Sequence, residues 1–286
     1  MNPAIGLALL SLAAAGCLDV VFKGYSRKTR SRGMYVFVCG LVWSILQVCL
    51  FLIQGVEPSF GTITLGYGIV AGLLLALANI LLIESLTFLD VSLGSTVYRL
   101  NTIGVVILSF LLLDEPLGFL KTSGVLCGVF AVYMLYDRKP QSGSANPFQA
   151  FLWVAIAASL LRAVFGIVSK AGLQAGADAN AMLLIYSLSW VACGLSYACL
   201  REKRIRLTRK KMAYGIFSGV LLSVVANALI LALKVGEVGV VVPIANLSFI
   251  VALLISSVIG METLNVRKGV AIAGAVLSIL LLAKSV

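Results

Sequence analysis

The sequence predicts an all-α membrane protein whose ten transmembrane helices form two inverted five-helix repeats. Three observations lead to this fold class: the composition, the spacing of the apolar segments, and a self-similarity between the two halves. Hydrophobic residues make up 61% of the 286 positions, and charged residues only 12%. Soluble globular proteins have roughly 45–50% apolar and about 25% charged residues. A water-exposed surface could not accommodate this composition, whereas a lipid bilayer can.

Ten apolar segments follow one another along the chain with short connections. They cover 3–22, 34–53, 62–86, 91–113, 117–136, 148–172, 180–199, 212–234, 239–258 and 266–284. A spanning helix needs about 20 mostly apolar residues, and these continuous runs of Leu, Val, Ala and Gly favour helices over strands. The first segment is not predicted to be a cleaved signal peptide, because no basic region precedes it.

Positive charges are concentrated in the connections that follow the odd-numbered segments. Those connections carry sixteen Lys and Arg residues, whereas the even-numbered connections and the termini carry three. The positive-inside rule assigns short basic connections to the cytoplasm. We therefore predict a multi-pass protein of the cell (inner or plasma) membrane with both termini on the non-cytoplasmic side. The net charge of +11 then reflects topology, and no nucleic-acid partner is predicted.

Metal, cofactor and catalytic motifs are absent from the sequence. It contains no histidine, and its six cysteines lack CxxC spacing, so no metal, cofactor or disulfide is predicted. The motifs HExxH, GxSxG and DxxxD do not occur either. The sequence therefore does not predict an enzyme.

The two halves of the chain resemble each other. A shift of 147 residues aligns Lys23 with Lys170, Trp43 with Trp190, and Glu115 with Glu262, and GIVAGLLLALAN (68–79) resembles GIFSGVLLSVVAN (215–227). We predict one repeat over 1–140, a linker at 141–147 and a second repeat over 148–286. Because each repeat has five spans, the second must cross the membrane in the opposite direction. Inverted repeats recur in transporters, which bind their solute near the midplane between the repeats.

Three segments carry a resemblance to a known family. They are SFLLLDEPLGFLKTSGVLCGV (109–129), SSVIGMETLNVRKGVAIAGAV (256–276) and VVVPIANLSFIVALL (240–254). With them, the whole chain resembles the EamA-type branch of the drug/metabolite transporter superfamily. The resemblance implies a ten-helix fold and secondary transport of small organic solutes. The chain departs from the family in two respects: Ser95-Thr96 stand where the second half has Pro243, and the charge bias opposes the cytoplasmic termini often drawn for members.

Charged residues within spans are costly and usually face the interior of the bundle. Arg99 shares one helix face with Ser95, Tyr98 and Thr102, and Asn101 lies on its flank. A guanidinium fork suits a carboxylate or a phosphate. An internal ion pair with Glu84 is the alternative, because the two residues differ little in depth along the predicted hairpin. Glu84 is also the candidate for proton coupling.

Further residues are assigned to the solute path or to packing. Arg162, near the middle of the sixth segment, is predicted either to line the path or to form an interhelical pair. The candidate lining residues are Asn79, Asn227, Trp43, Trp190, Gln47, Tyr186 and Asn246, with Asn79 and Asn227 facing each other across the repeat axis. Interhelical hydrogen bonding or packing is the alternative for each of these residues.

Other polar and small residues are predicted to be structural. Asp19 and Lys23 form an i, i+4 pair, and Lys23 and Lys170 can extend towards the membrane surface. Glu115 and Glu262 are predicted to cap the last helix of their own half. Gly68/Gly72, Gly124/Gly128 and Gly215/Gly219 are expected to permit close helix contacts.

The sequence thus favours a secondary transporter or exporter of amino acids or other carboxylate-bearing solutes, working by alternating access. Its predicted partners are this small-molecule substrate and the lipid bilayer, and a homodimer is left open. The alternatives are transport of cationic drug-like or lipid-linked substrates and a non-transporting membrane receptor or scaffold.

Overall fold

The computed structural model is helical through almost all of the residues that it describes. These are residues 2–26, 31–55, 57–85, 98–135, 145–202, 208–260 and 265–285, with the backbone alone at 22–24, 26 and 145–148. Some predicted features lie outside this part of the chain: Ser95, Thr96, Glu262, the Lys23 side chain and residues 141–144 of the predicted linker.

The helices follow the predicted apolar segments closely. In the first half they are α1 (Pro3–Ser26), α2 (Arg32–Gln54), α3 (Thr62–Ser85), α4 (Asn101–Leu113) and α5 (Phe119–Met134). In the second half they are α6 (Ala145–Gln174), α7 (Ala179–Tyr197), α8 (Arg209–Val235), α9 (Val238–Asn246), α10 (Phe249–Val258) and α11 (Val266–Lys284). A π-helical turn, Ala198–Glu202, extends α7.

Several helices begin at a residue whose side chain caps the first turn. Ser31 accepts a hydrogen bond from the Met34 amide at the start of α2. Asp178, Thr208 and Asn265 do the same at α7, α8 and α11. Each side chain satisfies a backbone N–H group that has no partner within the helix. The polar residues between the apolar segments therefore fix where these helices start.

Eight segments of the described chain are long and apolar enough to cross a membrane, and α9 and α10 together form one of them, Val238–Val258. Two further apolar helices, α4 and α5, are shorter. The protein is therefore a multi-pass membrane protein, as predicted. The predicted ninth span, 239–258, is confirmed as Val238–Val258, but a turn at Leu247 and Ser248 divides it into α9 and α10.

The most extensive helix contacts join the first half of the chain to the second. They pair α1 with α8, α3 with α6 and α7, α2 with α7 and α8, and α5 with α11. The predicted glycine pairs lie at three of these contacts, which confirms their structural role. A Cβ atom at Gly68, Gly72, Gly215, Gly219, Gly124 or Gly128 would come within 3.0 Å of an atom of the partner helix.

Candidate functional site

The break between α9 and α10 leaves part of the helix backbone without its usual hydrogen bonds. Pro243 has no N–H group and stands three residues before the end of α9 at Asn246. The Asn246 carbonyl accepts a hydrogen bond of 2.5 Å from Arg99 Nη1. Discontinuous helices commonly form solute sites in transporters. The break is thus the first element of a candidate site.

Arg99 is bound to both sides of this break and to α1. Its Nη1 atom also donates to Ser248 Oγ at 2.9 Å, and its Nη2 atom lies 2.5 Å from Asp19 Oδ2. Ser248 Oγ donates to the same carboxylate oxygen at 3.2 Å. The Asp19 side chain keeps 42% of its surface exposed, compared with 15% for Arg99. This ion pair therefore joins α1, the residues just before α4 and the helix break. Its cation is mostly buried, and its carboxylate is more accessible.

The predicted pairing of Arg99 with Glu84 is wrong. The Glu84 carboxylate instead accepts a hydrogen bond of 2.5 Å from the Tyr197 hydroxyl and lies 3.2 Å from Arg32 Nη1 and 3.4 Å from Arg201 Nη2. Similar depth along two helices did not bring these side chains together, because they point to different neighbours around the helix axes.

The Asn246 side chain connects the break to the start of α4. Its Nδ2 atom donates to Asn101 Oδ1 at 2.6 Å and to Thr102 Oγ1 at 2.9 Å. Asn101 Nδ2 in turn donates to the Tyr98 carbonyl oxygen at 2.8 Å. The structure therefore brings four predicted site residues, Tyr98, Arg99, Asn101 and Asn246, to one place.

Arg162 adds a second cation near this place. It is half-buried on α6, and its guanidinium carbon lies 5.1 Å from the centre of the Phe165 ring. The charges of Arg162, Arg99 and Asp19 all act on the Tyr98 hydroxyl. Within the described residues, no carboxylate lies at ion-pair distance from Arg162. We call Asp19, Tyr98, Arg99, Arg162 and Asn246 the charged centre.

A small cavity of about 10 Å³, with room for about one water molecule, adjoins the charged centre between α4, α5, α9 and α11. Arg99, Thr102, Asn246 and Ser278 supply its polar lining, and Val125, Val129 and Val132 belong to its apolar lining. The lining mixes apolar walls with a few polar groups, as small-molecule sites do, but the space must widen before it can hold an organic solute.

Trp43 and Trp190 form a second polar cluster where α2 crosses α7. Their rings meet edge to face, with centroids 6.4 Å apart and an interplanar angle of 77°. Both Nε1 atoms are buried and have no hydrogen-bond partner. A buried N–H group without a partner is costly, so these two groups are candidates to donate to a bound molecule.

The remaining predicted lining residues lie around these tryptophans. Gln47 Oε1 accepts a hydrogen bond of 3.0 Å from Asn227 Nδ2, and Tyr186 Oη lies 2.9 Å from Ser169 Oγ. We call Trp43, Trp190, Gln47, Asn227 and Tyr186 the tryptophan centre. They pack into the core, and none of them lines the cavity beside Arg99.

The expectation that Asn79 and Asn227 face each other is wrong. Asn79 Nδ2 donates to the Leu75 carbonyl of its own helix at 2.8 Å, whereas Asn227 bonds to Gln47. Symmetric positions in a sequence repeat need not face each other, because the side-chain direction depends on how each helix is rotated.

Glu115 and Lys170 also have partners other than those expected. Glu115 accepts hydrogen bonds from the Val238 and Gly239 amides and so caps α9, not the last helix of its own half. Lys170 is half-buried, and its Nζ atom donates to the Leu233 and Gly236 carbonyls at the C-terminal end of α8, at 2.7 Å each.

Sequence reasoning missed Asp19 and Ser248 as partners of Arg99. One signal was available: Pro243 precedes an Asn-Leu-Ser sequence within an apolar run. Proline and short polar residues disrupt or cap helices, so this run could have been interpreted as a broken span.

Comparisons with known proteins agree with the helical architecture. No curated protein matches the chain. One solved crystal structure of another protein superposes with a TM-score of 0.83 over 97% of this chain and 95% of that chain, at 15% sequence identity. At this identity the likeness shows a shared fold alone. Residues 2–137 match the family model described as the EamA-like transporter family. The first half of the chain is therefore similar to the EamA-like transporter family.

Proposed function

We propose that this protein is a secondary active transporter that carries carboxylate-bearing solutes such as amino acids by alternating access. The family that residues 2–137 match supports membrane transport of small solutes. The observation that carries the solute class is the charged centre, where Arg99 already holds the Asp19 carboxylate beside a cavity.

A solute carboxylate could replace Asp19 on Arg99. The Arg99 fork already engages a carboxylate, and planar bidentate recognition of carboxylates is the chemistry that guanidinium groups favour. Asp19 is more accessible than Arg99, so it can leave while Arg99 stays bound to Asn246 and Ser248. Arg162 supplies a second positive charge nearby.

The tryptophan centre offers a second contact for the solute. The unpartnered Trp43 and Trp190 N–H groups would donate to an acceptor atom. Gln47, Asn227 and Tyr186 are already hydrogen-bonded within the protein and would hold the helices around this contact. Asn79 is the least supported of the proposed lining residues, because its side chain bonds to its own helix.

The alternative of a cationic solute is less well supported. Such a solute needs accessible carboxylates that are free of internal cations. Asp19 is paired with Arg99, and Glu84 with Arg32 and Arg201. The same contacts make Glu84 a weaker candidate for proton coupling than its sequence position suggested.

The helix contacts support two inverted repeats over 1–140 and 148–286. The repeat relates α1 to α6, α2 to α7, α3 to α8, α4 to α9 and α10, and α5 to α11. When each helix is replaced by its equivalent, the pair α1–α8 becomes α6–α3, and the pair α2–α8 becomes α7–α3. The contact of α1 with α9 and α10 becomes that of α6 with α4. All these pairs are in contact, and so are the pairs that map onto themselves, α2–α7, α4–α9 and α5–α11. The charge bias further supports non-cytoplasmic termini in the cell membrane.

Transport into proteoliposomes tests the solute class. Purified protein is reconstituted and offered labelled amino acids, other carboxylated metabolites and cationic compounds. We expect uptake of carboxylated solutes and, for Arg99→Ala, loss of this uptake with retained folding, because the carboxylate loses its fork.

Arg209→Ala is the matched control, since this arginine is exposed at the start of α8. Uptake by Arg99→Ala at the wild-type rate would contradict the site. Uptake of cationic compounds alone would contradict the solute class.

A further inference from the structure

A buried network of charges closes one end of the molecule. Lys121 Nζ lies 3.3 Å from Glu115 Oε2 and 2.8 Å from Glu237 Oε2, and the side chains of Lys121 and Glu115 are only 2% and 6% exposed. Glu115 also accepts hydrogen bonds of 2.6 Å from the Val238 amide and 2.9 Å from the Gly239 amide. The α4–α5 connection of the first half is thereby attached to the start of α9 in the second half.

Gly239 is required for this network to close. A Cβ atom at this position would lie 2.7 Å from Lys121 Cε, 2.8 Å from Ser109 Oγ and 3.0 Å from Glu115 Oε2. Glu115 additionally places a negative charge on a helix N-terminus, where the helix dipole stabilises it. We call Glu115, Lys121, Glu237 and Gly239 the buried gate.

A second network joins the halves at the start of α2. Glu202 Oε1, at the end of the turn that extends α7, accepts hydrogen bonds of 2.6 Å from the Arg32 amide and 3.2 Å from the Gly33 amide. The Ser31 hydroxyl donates to the other oxygen of Glu202. Glu202 of the second half thus caps a helix of the first half, and Glu115 of the first half caps a helix of the second half.

Glu84 extends this second network to α3. Its carboxylate holds Tyr197, Arg32 and Arg201, as described above. Its ion pairs are more exposed than the Lys121–Glu115 pair of the buried gate, because Glu84 is 21% and Arg201 71% exposed. In the buried gate only Glu237, at 34%, is comparably exposed. We call Glu84, Arg32, Tyr197, Arg201 and Glu202 the exposed gate.

The two gates lie at opposite ends of the spans. The residues of the exposed gate lie at the connections after the first, third and seventh spans. The residues of the buried gate lie at the connections after the fourth and eighth spans. Because successive spans cross the membrane in alternate directions, odd and even connections face opposite sides. Both networks are closed in this structure.

We propose that these networks are the two gates of the transport cycle, and that the exposed gate opens more readily than the buried one. This inference rests on the proposed alternating-access function. Exposed ion pairs contribute little to stability, whereas separating a buried pair leaves an uncompensated charge. The resting protein therefore loads solute from the side of the odd-numbered connections, which the charge bias makes the cytoplasm.

Cysteine labelling measures the opening of each gate without reference to transport. A cysteine-free background receives one buried reporter at a time. Val36→Cys lies in the small crevice lined by Arg32 and Tyr197, and Ser109→Cys lies beside Gly239 in the buried gate. Both positions are fully buried. The rate of reaction with a polar maleimide is measured on purified protein in detergent, where both ends are accessible.

We expect Val36→Cys to react about tenfold faster than Ser109→Cys, because an exposed network opens more often than a buried one. Glu202→Gln should accelerate labelling at Val36→Cys alone, and Glu115→Gln labelling at Ser109→Cys alone. If Glu115→Gln does not fold, Glu237→Gln replaces it, because the Glu237 side chain is more exposed. Glu57→Gln, at an exposed residue, is the charge-matched control.

Faster labelling at Ser109→Cys than at Val36→Cys would overturn the order of opening. Unchanged labelling rates in both Glu202→Gln and Glu115→Gln would contradict the assignment of these networks as gates. Uptake of carboxylated solutes is measured on the same wild-type protein. If labelling responds as expected but no carboxylated solute is taken up, the assignment of the gates is supported and the proposed solute class is contradicted.

Discussion

The charged centre and the tryptophan centre both lie where the two halves of the chain meet, but they are built differently. The charged centre joins α1, α4 and a broken helix through long side chains, with an accessible carboxylate and a cavity beside it. The tryptophan centre joins α2 and α7, whose backbones approach closely: a Cβ at Gly40 would lie 2.8 Å from the Val191 amide nitrogen.

Because of this difference, the side chains of the charged centre can rearrange, whereas the helices of the tryptophan centre must stay packed. Long side chains can exchange partners by rotating about single bonds, whereas closely packed backbones cannot separate without loss of many dispersion contacts. We therefore expect substitutions of Gln47, Asn227 and Tyr186 in the tryptophan centre to act mainly on stability. Substitutions at the charged centre should act mainly on solute binding.

The largest expected effect is on stability and comes from Gly40→Ala. Its new methyl group would meet backbone atoms of Val191 and Trp190 at 2.8 and 3.0 Å. Overpacking of this kind costs about 1–3 kcal/mol. Gly104→Ala is the matched substitution near the charged centre, where only the Ala163 methyl group lies nearby, at 3.1 Å. Thermal unfolding in detergent should show a lower midpoint for Gly40→Ala alone. Equal losses in the two variants would remove the distinction between the centres.

A second pair of substitutions compares one asparagine from each centre. Asn227→Leu deprives Gln47 of its hydrogen-bond donor, and a buried acceptor without a partner costs about 1–3 kcal/mol. Its transport per folded molecule should be unchanged. Asn246→Leu removes the contacts with Asn101 and Thr102 beside Arg99, so it should raise KM more than it lowers stability. Uptake kinetics combined with thermal unfolding measure both quantities, and the reverse pattern would contradict the assignment.

The smallest expected effects come from removal of one hydroxyl group in each centre. Tyr186→Phe loses the hydrogen bond with Ser169, which is worth about 0.5–1.5 kcal/mol, and should leave transport intact. Tyr98→Phe should instead lower the apparent affinity for a carboxylated solute, because its hydroxyl lies among the charges of Arg99, Arg162 and Asp19. Competition uptake at several solute concentrations detects this change. An unchanged affinity in Tyr98→Phe would exclude that hydroxyl from the site.

Much of the fold could be predicted from the sequence, because helix position depends on local properties. Apolar runs of spanning length and short polar connections gave nearly the observed helix limits, and the glycine pairs marked real close contacts. The ninth span was located correctly, but its apolar composition did not reveal the turn at Leu247 and Ser248 that interrupts the helix. Hydropathy reports whether a segment can cross a membrane, but it does not report whether its hydrogen bonds are continuous.

For the candidate site, the sequence identified the residue types but not their partners. Arg99, Asn101 and Asn246 could be identified from the sequence, because polar groups within apolar spans are energetically costly and often functional. Their connection could not be predicted, since Arg99 and Asn246 are separated by 147 residues, about half of the chain. Glu115 illustrates the same limit: its role as a helix cap was expected, but the helix that it caps was not.

The sequence by itself determined that this protein lies in a membrane, that its spans are helical and that some of them carry charge. Those properties follow from the free energy of transferring each segment into lipid. Only the tertiary structure decided that Arg99 binds Asp19 and that Glu84 binds Arg32 and Arg201. The physical reason is that an ion pair requires two side chains to point at each other. Their directions are set by the packing and rotation of helices that are distant in the chain.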